Sequence, residues 1–215
     1  MSYGWKKQII ALGVFVLLSL NDGQARAEVV ETLSQNTFAT AESLDPGLTQ
    51  AGVHFTIGEG YQSYYPTFRF GLGGLVELGV KLGATTADVG PDDKVAILGG
   101  ADLKYQMVKQ STGIPVDMAI DLGFNTHVIS SKNISEVTFS TIFSRPYPLT
   151  DRGYKVTPYC GIELSVLYGS YFSKNETDYY VFGGVEWKLS QKSMLYAELK
   201  AGGHTLGGIG IRFEY

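Results

Sequence analysis

From residue 51 onward, apolar side chains alternate with polar or small ones in one segment after another. In residues 207–215, Ile209, Ile211 and Phe213 share one face, whereas Arg212 and Glu214 share the other. Because successive side chains of a β-strand point to opposite faces, this period of two predicts strands. The pattern recurs at residues 51–58, 66–72, 76–83, 95–106, 116–124, 136–144, 155–168, 178–189 and 193–202, which makes ten predicted strands.

Most of these strands are about 8–12 residues long, which is the length that a tilted strand needs to cross a bilayer. Turn signals separate them, among them Gly73-Gly74 and the Gly-Pro-Asp-Asp run at residues 90–93. No helical period of comparable length competes with the alternation. The sequence therefore predicts an all-β fold, a transmembrane antiparallel up-and-down β-barrel of about ten strands over residues 49–215.

Two features indicate that the apolar face points outward into lipid and the polar face into a closed lumen. Glycine falls mainly on the polar face, for example at Gly79, Gly100 and Gly123, where it relieves crowding in a narrow barrel. The polar face also carries nearly equal numbers of cations and anions, so buried charges can pair across strands. The alternative is a solvated sheet, because exposed sheets also mix charge signs.

The charged residues of the polar face are the candidate lumen lining. They occur on most of the predicted strands, and every second side chain of a strand points to the same side. The predicted lumen-lining residues are Arg69, Glu77, Lys81, Asp102, Lys104, Asp117, Asp121, Glu163, Glu186, Lys188, Glu198, Lys200, Arg212 and Glu214.

Aromatic residues near the strand ends are candidates for the two interfacial girdles of such a barrel. Sheet propensity alone explains about half of them, since aromatic residues favour strands generally. The predicted girdle residues are Tyr64, Tyr65, Tyr105, Tyr154, Tyr168, Tyr171, Tyr179, Trp187 and Tyr215.

The N-terminal 27 residues have the pattern of a secretory signal peptide. Lys6 and Lys7 precede an apolar run at residues 9–20, and Ala25-Arg26-Ala27 follows as a small-x-small cleavage site. The run is shorter than the roughly 20 residues of a spanning helix, so a membrane anchor is the weaker interpretation. Residues 28–48 then form a periplasmic N-terminal segment or a partial plug of the barrel.

Charge and composition exclude several classes of function. The full chain has a net charge of −4, and removal of residues 1–27 takes away more cations than anions. No basic stripe is left, which argues against binding to nucleic acid. The single cysteine, Cys160, excludes an internal disulfide framework and a cysteine-based zinc site.

The residues predict no catalytic site, metal site or cofactor. His54, His127 and His204 lie far apart in the sequence, and none has a nucleophile and an orienting group at a recognisable spacing. The acidic pairs Asp92-Asp93 and Asp117/Asp121 lack the spacing of a calcium loop. We therefore expect a protein that is not an enzyme, although a barrel can assemble a site across strands.

The last strand carries the most specific resemblance. Its alternation up to a terminal aromatic residue resembles the C-terminal insertion signal of Gram-negative outer-membrane β-barrel proteins, with Phe213 and Tyr215 as the signal residues. The class usually ends in Phe, whereas this chain ends in Tyr215. Residues 39–47 and 75–80 also resemble poorly characterised barrels of the class. The resemblance covers about residues 49–215.

This resemblance implies a location in the bacterial outer membrane, with outer-membrane lipid and the barrel-assembly machinery as partners. Barrels of this class have both chain ends in the periplasm and an even number of strands. The outward-facing loops are then expected at residues 59–64, 85–94, 126–135, 169–177 and 203–206.

The leading functional hypothesis is a non-enzymatic integral barrel, either structural or a narrow, porin-like solute pathway. Ten strands leave a lumen that side chains largely fill, whereas open aqueous channels belong to barrels of about 16–18 strands. An outer-membrane enzyme acting on lipid or peptide, and a loop-based adhesin or receptor, are the alternatives. The sequence names neither the solute, the oligomeric state nor the organism.

Overall fold

The structure is a computed structural model that describes residues 34–89, 92–111, 113–129, 132–149, 154–170 and 175–215. The predicted signal peptide lies outside the described residues. No helix in the described ranges is long and apolar enough to cross a membrane. The strands are β1 Thr49–Gly58, β2 Tyr61–Gly73, β3 Val76–Val89, β4 Asp92–Val108, β5 Asp117–Ile129, β6 Lys132–Ser144, β7 Tyr147–Pro148, β8 Lys155–Gly169, β9 Glu176–Lys188, β10 Ser193–Gly202 and β11 Leu206–Glu214.

Ten of these strands form a closed antiparallel barrel, which confirms the predicted fold class. Each long strand pairs with the next along the chain, and pairing of β6 with β8 carries the ladder past the two-residue strand β7. The barrel closes where β1 pairs with β11, for example Val53 opposite Ile211. Every strand edge of the barrel wall is therefore paired.

The strands are longer and the turns shorter than the sequence predicted. Strand β4 has 17 residues and β3 has 14, and only residues 59 and 60 separate β1 from β2. Most of the loops expected at residues 59–64, 85–94 and 126–135 are strand instead. The inner face of these strand ends carries buried apolar and aromatic residues such as Tyr61, Ile129 and Ile134, so an alternation of apolar outer and polar inner positions does not reveal them.

The two ends of the barrel are distinct, and we name them by their residues. At the terminal end, Thr49 pairs with Tyr215 through two backbone hydrogen bonds of 2.9 and 3.3 Å. The turn between β2 and β3 lies at this end, where Gly73 and Gly74 have φ angles of 91° and 60° that side chains disfavour. The distal end carries the turns that join β1 to β2, β3 to β4, β5 to β6, β8 to β9 and β10 to β11.

The outer surface of the barrel is apolar and its interior is polar. Val181, Ile162 and Ile209 are 63%, 61% and 58% exposed, whereas Lys200 and Arg69 on the opposite face are 0% and 3% exposed. A water-soluble sheet would show the reverse arrangement. The inverted arrangement is the one that the glycine and charge pattern predicted.

Candidate functional site

The barrel interior is the only large polar surface that the described residues enclose, and it is densely filled. Of the predicted lumen residues, four are partly accessible: Lys81, Asp102, Lys188 and Glu214. The other ten are buried: Arg69, Glu77, Lys104, Asp117, Asp121, Glu163, Glu186, Glu198, Lys200 and Arg212. Burial of this many charges requires partners, and the structure supplies two kinds.

The first kind of partner is another charge on the wall. Arg69 on β2 forms ion pairs with Glu77 on β3 and with Asp102 on β4, the latter at 2.5 Å. Lys104 completes the cluster at 3.0 Å from the second oxygen of Glu77. A side chain on Gly79 would lie 2.5 Å from the Asp102 carboxylate, so glycine at this position leaves room for the cluster. Lys200 on β10 and Glu163 on β8 form a separate ion pair over the inner face of β9.

The second kind of partner is the chain's own N-terminal segment. Residues 34–44, which we call the plug segment, run through the lumen before the chain turns into β1 at the terminal end. Ser34, Asn36, Phe38 and Ala41 are at most 3% exposed. The carbonyl of Ser34 accepts a 2.5 Å hydrogen bond from Tyr61, at the distal start of β2. The described residues 34–44 thus lie inside the barrel.

Glu198 on β10 holds the middle of the plug segment. Its carboxylate accepts hydrogen bonds from the backbone N–H groups of Thr37 and Phe38 at 2.8 and 2.7 Å. The Asn36 amide and the Tyr159 hydroxyl donate to the same carboxylate at 3.1 and 2.9 Å. Hydrogen bonds to a charged acceptor are stronger than neutral ones, so this group fixes the segment tightly to the wall.

The ring of Phe38 fills an aromatic pocket in the wall. It lies 4.7 Å from the ring of His54, which in turn stacks on Tyr65 at 5.6 Å. A side chain on Gly208 would come within 2.4 Å of the Phe38 ring, so glycine makes the pocket. The Phe38 carbonyl accepts a 2.7 Å hydrogen bond from Arg212, which closes the pocket.

The lumen retains little free volume beside the plug segment. Two small cavities of about 10 and 20 Å³ lie between the segment and the wall, and both are lined by Asn36, Thr37, Lys81 and Asp102. A single water needs about 10–15 Å³, so each cavity has room for about one water. Both cavities lie beside residues 36 and 37 of the plug segment.

The histidines that the sequence singled out are not brought together. His54 is buried, and its Nε2 accepts a 3.2 Å hydrogen bond from Arg212 while aromatic rings cover its faces. His127 is buried on β5, and His204 lies in the turn between β10 and β11. A general base needs a nucleophile or substrate group within hydrogen-bond reach, and the contacts of His54 include neither.

The described residues contain no group of three or more His, Cys, Asp or Glu side chains placed to hold a metal ion. Cys160 lies on the lipid-facing side of β8 and is exposed. The predicted signal residues Phe213 and Tyr215 are 41% and 70% exposed on the outer surface. Their role in insertion stays a prediction.

One girdle prediction is wrong, and several other aromatic residues line the interior. Tyr65 points into the lumen and is 2% exposed, because its even-numbered neighbours on β2 face outward. The remaining predicted girdle residues in the described ranges are exposed, with Tyr168 half-buried. Five further aromatic side chains project inward beside Tyr65: Tyr61, Tyr159, Tyr180, Phe182 and Tyr196.

A closed antiparallel wall satisfies its backbone hydrogen bonds internally, and its apolar exterior matches lipid, which together meet the demands of a bilayer. The chain is a transmembrane β-barrel. No family model and no curated protein matches it. Solved barrel structures do match, at low identity.

The N-terminal β-barrel domain of OprF from Pseudomonas aeruginosa is 12% identical with a TM-score of 0.41, and the match covers 80% of this chain and 100% of that one. The KdgM porin is 13% identical with a TM-score of 0.40, over 76% and 98% of the two chains. The translocator domain of the autotransporter NalP from Neisseria meningitidis is 10% identical with a TM-score of 0.48, over 79% and 89%. These likenesses concern the fold alone.

Proposed function

We propose that the protein is a non-enzymatic barrel of the bacterial outer membrane that is closed at rest by its own N-terminal segment. When the plug segment leaves, the barrel becomes a narrow solute pathway. Outer-membrane lipid surrounds it, and the barrel-assembly machinery inserts it. The observation that carries the proposal is the occupation of the lumen by residues 34–44, whose removal vacates a column along the barrel.

The character of the contacts supports release of the plug segment rather than permanent closure. The segment is held by hydrogen bonds from wall residues such as Glu198, Lys200 and Arg212, and by one ion pair between Glu42 and Lys155. Water can replace these contacts one by one, because a hydrogen bond exchanged for water changes the free energy by about 0.5–1.5 kcal/mol, or about 1.5–3 kcal/mol where one partner is charged. A wall lined with charged groups also stays wettable once it is empty. Only Phe38 inserts a large apolar side chain.

Conductance in planar bilayers tests this proposal. The recognition site of a sequence-specific protease is inserted between Pro46 and Gly47, which are exposed at the terminal end. The folded full-length chain is then cleaved, and release of the plug segment is verified by mass spectrometry. We expect no current before cleavage and discrete conductance steps after release.

The matched control carries the same recognition site between Gln191 and Lys192, in the exposed turn before β10. Cleavage there nicks the chain but frees no lumen segment, so it is expected to produce no current. Absence of current after verified release would show that the emptied barrel does not conduct, and would favour a purely structural role. Equal current before and after cleavage would show that residues 34–44 do not close the lumen.

A further inference from the structure

The wall of the lumen holds the plug segment mainly by its main chain. Five backbone N–H groups of the segment donate to wall side chains, and five carbonyl groups accept from them. The N–H groups are those of Thr37, Phe38, Ala41, Ser43 and Leu44. The carbonyl groups are those of Ser34, Gln35, Phe38, Thr40 and Glu42.

From Thr40 to Ser43 the wall partners are spaced for an extended chain, whereas the chain bends at Phe38, which has a φ angle of 42°. Lys104 donates to the carbonyls of both Thr40 and Glu42 at 2.9 Å, two residues apart, as expected where alternate groups face the same side. The amides of Ala41 and Ser43 reach Ser144 and Gln106, again two residues apart. The wall thus replaces the partners that a neighbouring strand would supply to an extended segment.

The side chains of the plug segment add contacts of their own. Hydrogen bonds of 2.8–3.3 Å run from Ser34 to Glu136, from Gln35 to Ser63, from Asn36 to Glu198 and from Thr37 to Glu163, and Phe38 occupies a deep pocket. Glu42 makes the segment's one ion pair with the wall in the described residues, to Lys155 at 2.6 Å. Because every residue carries the same backbone groups, the main-chain contacts accept a polypeptide of any sequence, and the side-chain contacts add a preference for short polar residues at positions 34–37.

We infer that the lumen is a binding site for an unfolded polypeptide segment with small, mostly uncharged side chains. Residues 34–44 are its resident occupant. This inference rests on the proposed function and names its solute class: the opened pathway takes an unfolded peptide segment, which binds the wall groups that the plug segment has vacated.

Binding of synthetic peptides to the cleaved, emptied barrel tests the inference. Three fluorescein-labelled probes are compared by fluorescence anisotropy. The first has the sequence of residues 34–44, and the second permutes it with Phe38 and Glu42 kept in place. The third keeps the native sequence but carries N-methyl groups on the amides of Thr37 and Phe38, which removes the two donors to Glu198.

We expect the permuted peptide to bind about tenfold more weakly than the native one, because it loses side-chain hydrogen bonds but keeps its main-chain contacts, and the N-methylated peptide to bind at least thirtyfold more weakly. A barrel with Glu198→Gln is expected to lose affinity for the native peptide, whereas Glu214→Gln, at the rim of the lumen, is not. The inference is overturned if the permuted peptide fails to bind while the native one binds, or if N-methylation has no effect.

The same preparation of emptied barrel tests the peptide site and the solute pathway separately. If the emptied barrel conducts and no peptide binds or blocks it, the peptide site is wrong and the proposed pathway stands. If peptide binds but the emptied barrel does not conduct, the proposed pathway is wrong, and the lumen binds peptide only as the site of the plug segment.

Discussion

Glycines of the barrel wall make room for specific atoms of the N-terminal chain inside the barrel. A side chain on Gly208 would come within 2.4 Å of the Phe38 ring and 2.7 Å of the Phe55 carbonyl oxygen. A side chain on Gly71 would come within 2.1 Å of the Asp45 carbonyl oxygen, where the segment leaves the lumen. The glycine pattern that predicted a narrow lumen therefore also marks the path of the segment.

Substitution of Gly208 by alanine is expected to destabilise the barrel by about 1–3 kcal/mol, because the new methyl group overlaps atoms that cannot all move. Urea unfolding in lipid bilayers measures this effect. Gly99→Ala is the control, since a side chain at this lipid-facing position meets nothing within 4 Å. Phe38→Ala should restore part of the loss in the double variant. Equal stability of the Gly208 and Gly99 variants would contradict the packing described.

Glu198 is the strongest link between the wall and the plug segment. The Glu198 carboxylate accepts four hydrogen bonds, whereas glutamine places an NH₂ group opposite some of those donors. Each lost hydrogen bond to a charged group costs about 1.5–3 kcal/mol. In a Cys160→Ser background with Ala39→Cys, we expect Glu198→Gln to accelerate maleimide labelling of residue 39 at least tenfold. Glu214→Gln should leave the rate within twofold, and equal rates in both variants would count against the link.

Glu42 is expected to make the stability of the protein depend on pH. Burial alone would raise the pKa of its carboxyl, but the positive charges of Lys155, Lys104 and Lys109 outweigh burial and lower the pKa below its usual value. A group with a lowered folded-state pKa stabilises the fold above its unfolded-state pKa, and this contribution disappears as pH falls through the folded-state value.

The stability difference between wild type and Glu42→Gln is therefore expected to be present at pH 7 and to close below a pH of about 4. Its size is about 1 kcal/mol or less, because the pair with Lys155 is partly exposed. Urea unfolding at pH 7, 5 and 3.5 measures it, with the exposed Glu59→Gln as control. A difference that grows in acid would contradict the sign of the shift.

At the scale of strands, alternation predicted those parts of the barrel where one face meets lipid. Residues 193–202 were predicted as a strand and are strand β10. Residues 84–89 were not, since Ala, Thr and Asp side chains there carry no apolar stripe, yet they extend β3 beside β4. The two-residue strand β7 has too few residues for any period to show.

The lipid-facing side of β9 offers a direct test of strand orientation. Val181 is 63% exposed near the middle of the strand. Val181→Arg is expected to destabilise the barrel in bilayers by about 2–4 kcal/mol, the cost of a charge near the midplane. Gln191→Arg, in the exposed turn before β10, should change stability by less than about 0.5 kcal/mol. Equal effects of the two substitutions would argue against a lipid-facing β9.

For the whole molecule, the sequence predicted the wall of the lumen but not its contents. Near-equal numbers of charges indicated pairing between wall residues, which holds for Arg69, Glu77 and Asp102. Glu198 and Arg212 instead bind backbone groups of the plug segment, and a backbone group has no sequence signature. The available signal was the frequency of small side chains between Ser34 and Ala41, which leave room for the wall residues; Phe38 is the exception and has a pocket of its own.

A disulfide between the plug segment and the inner wall tests the central claim most directly. The hydroxyl of Ser144 is 3.0 Å from the backbone nitrogen of Ala41, so cysteines at these two positions in a Cys160→Ser background lie close together only inside the lumen. We predict that mild oxidation of the folded full-length protein links residues 41 and 144. Ala41→Cys with native Cys160, which faces lipid on the other side of the wall, should give no link. Absence of the 41–144 disulfide, with residue 41 reacting as fast as a fully exposed cysteine, would contradict a barrel closed by its own N-terminal segment.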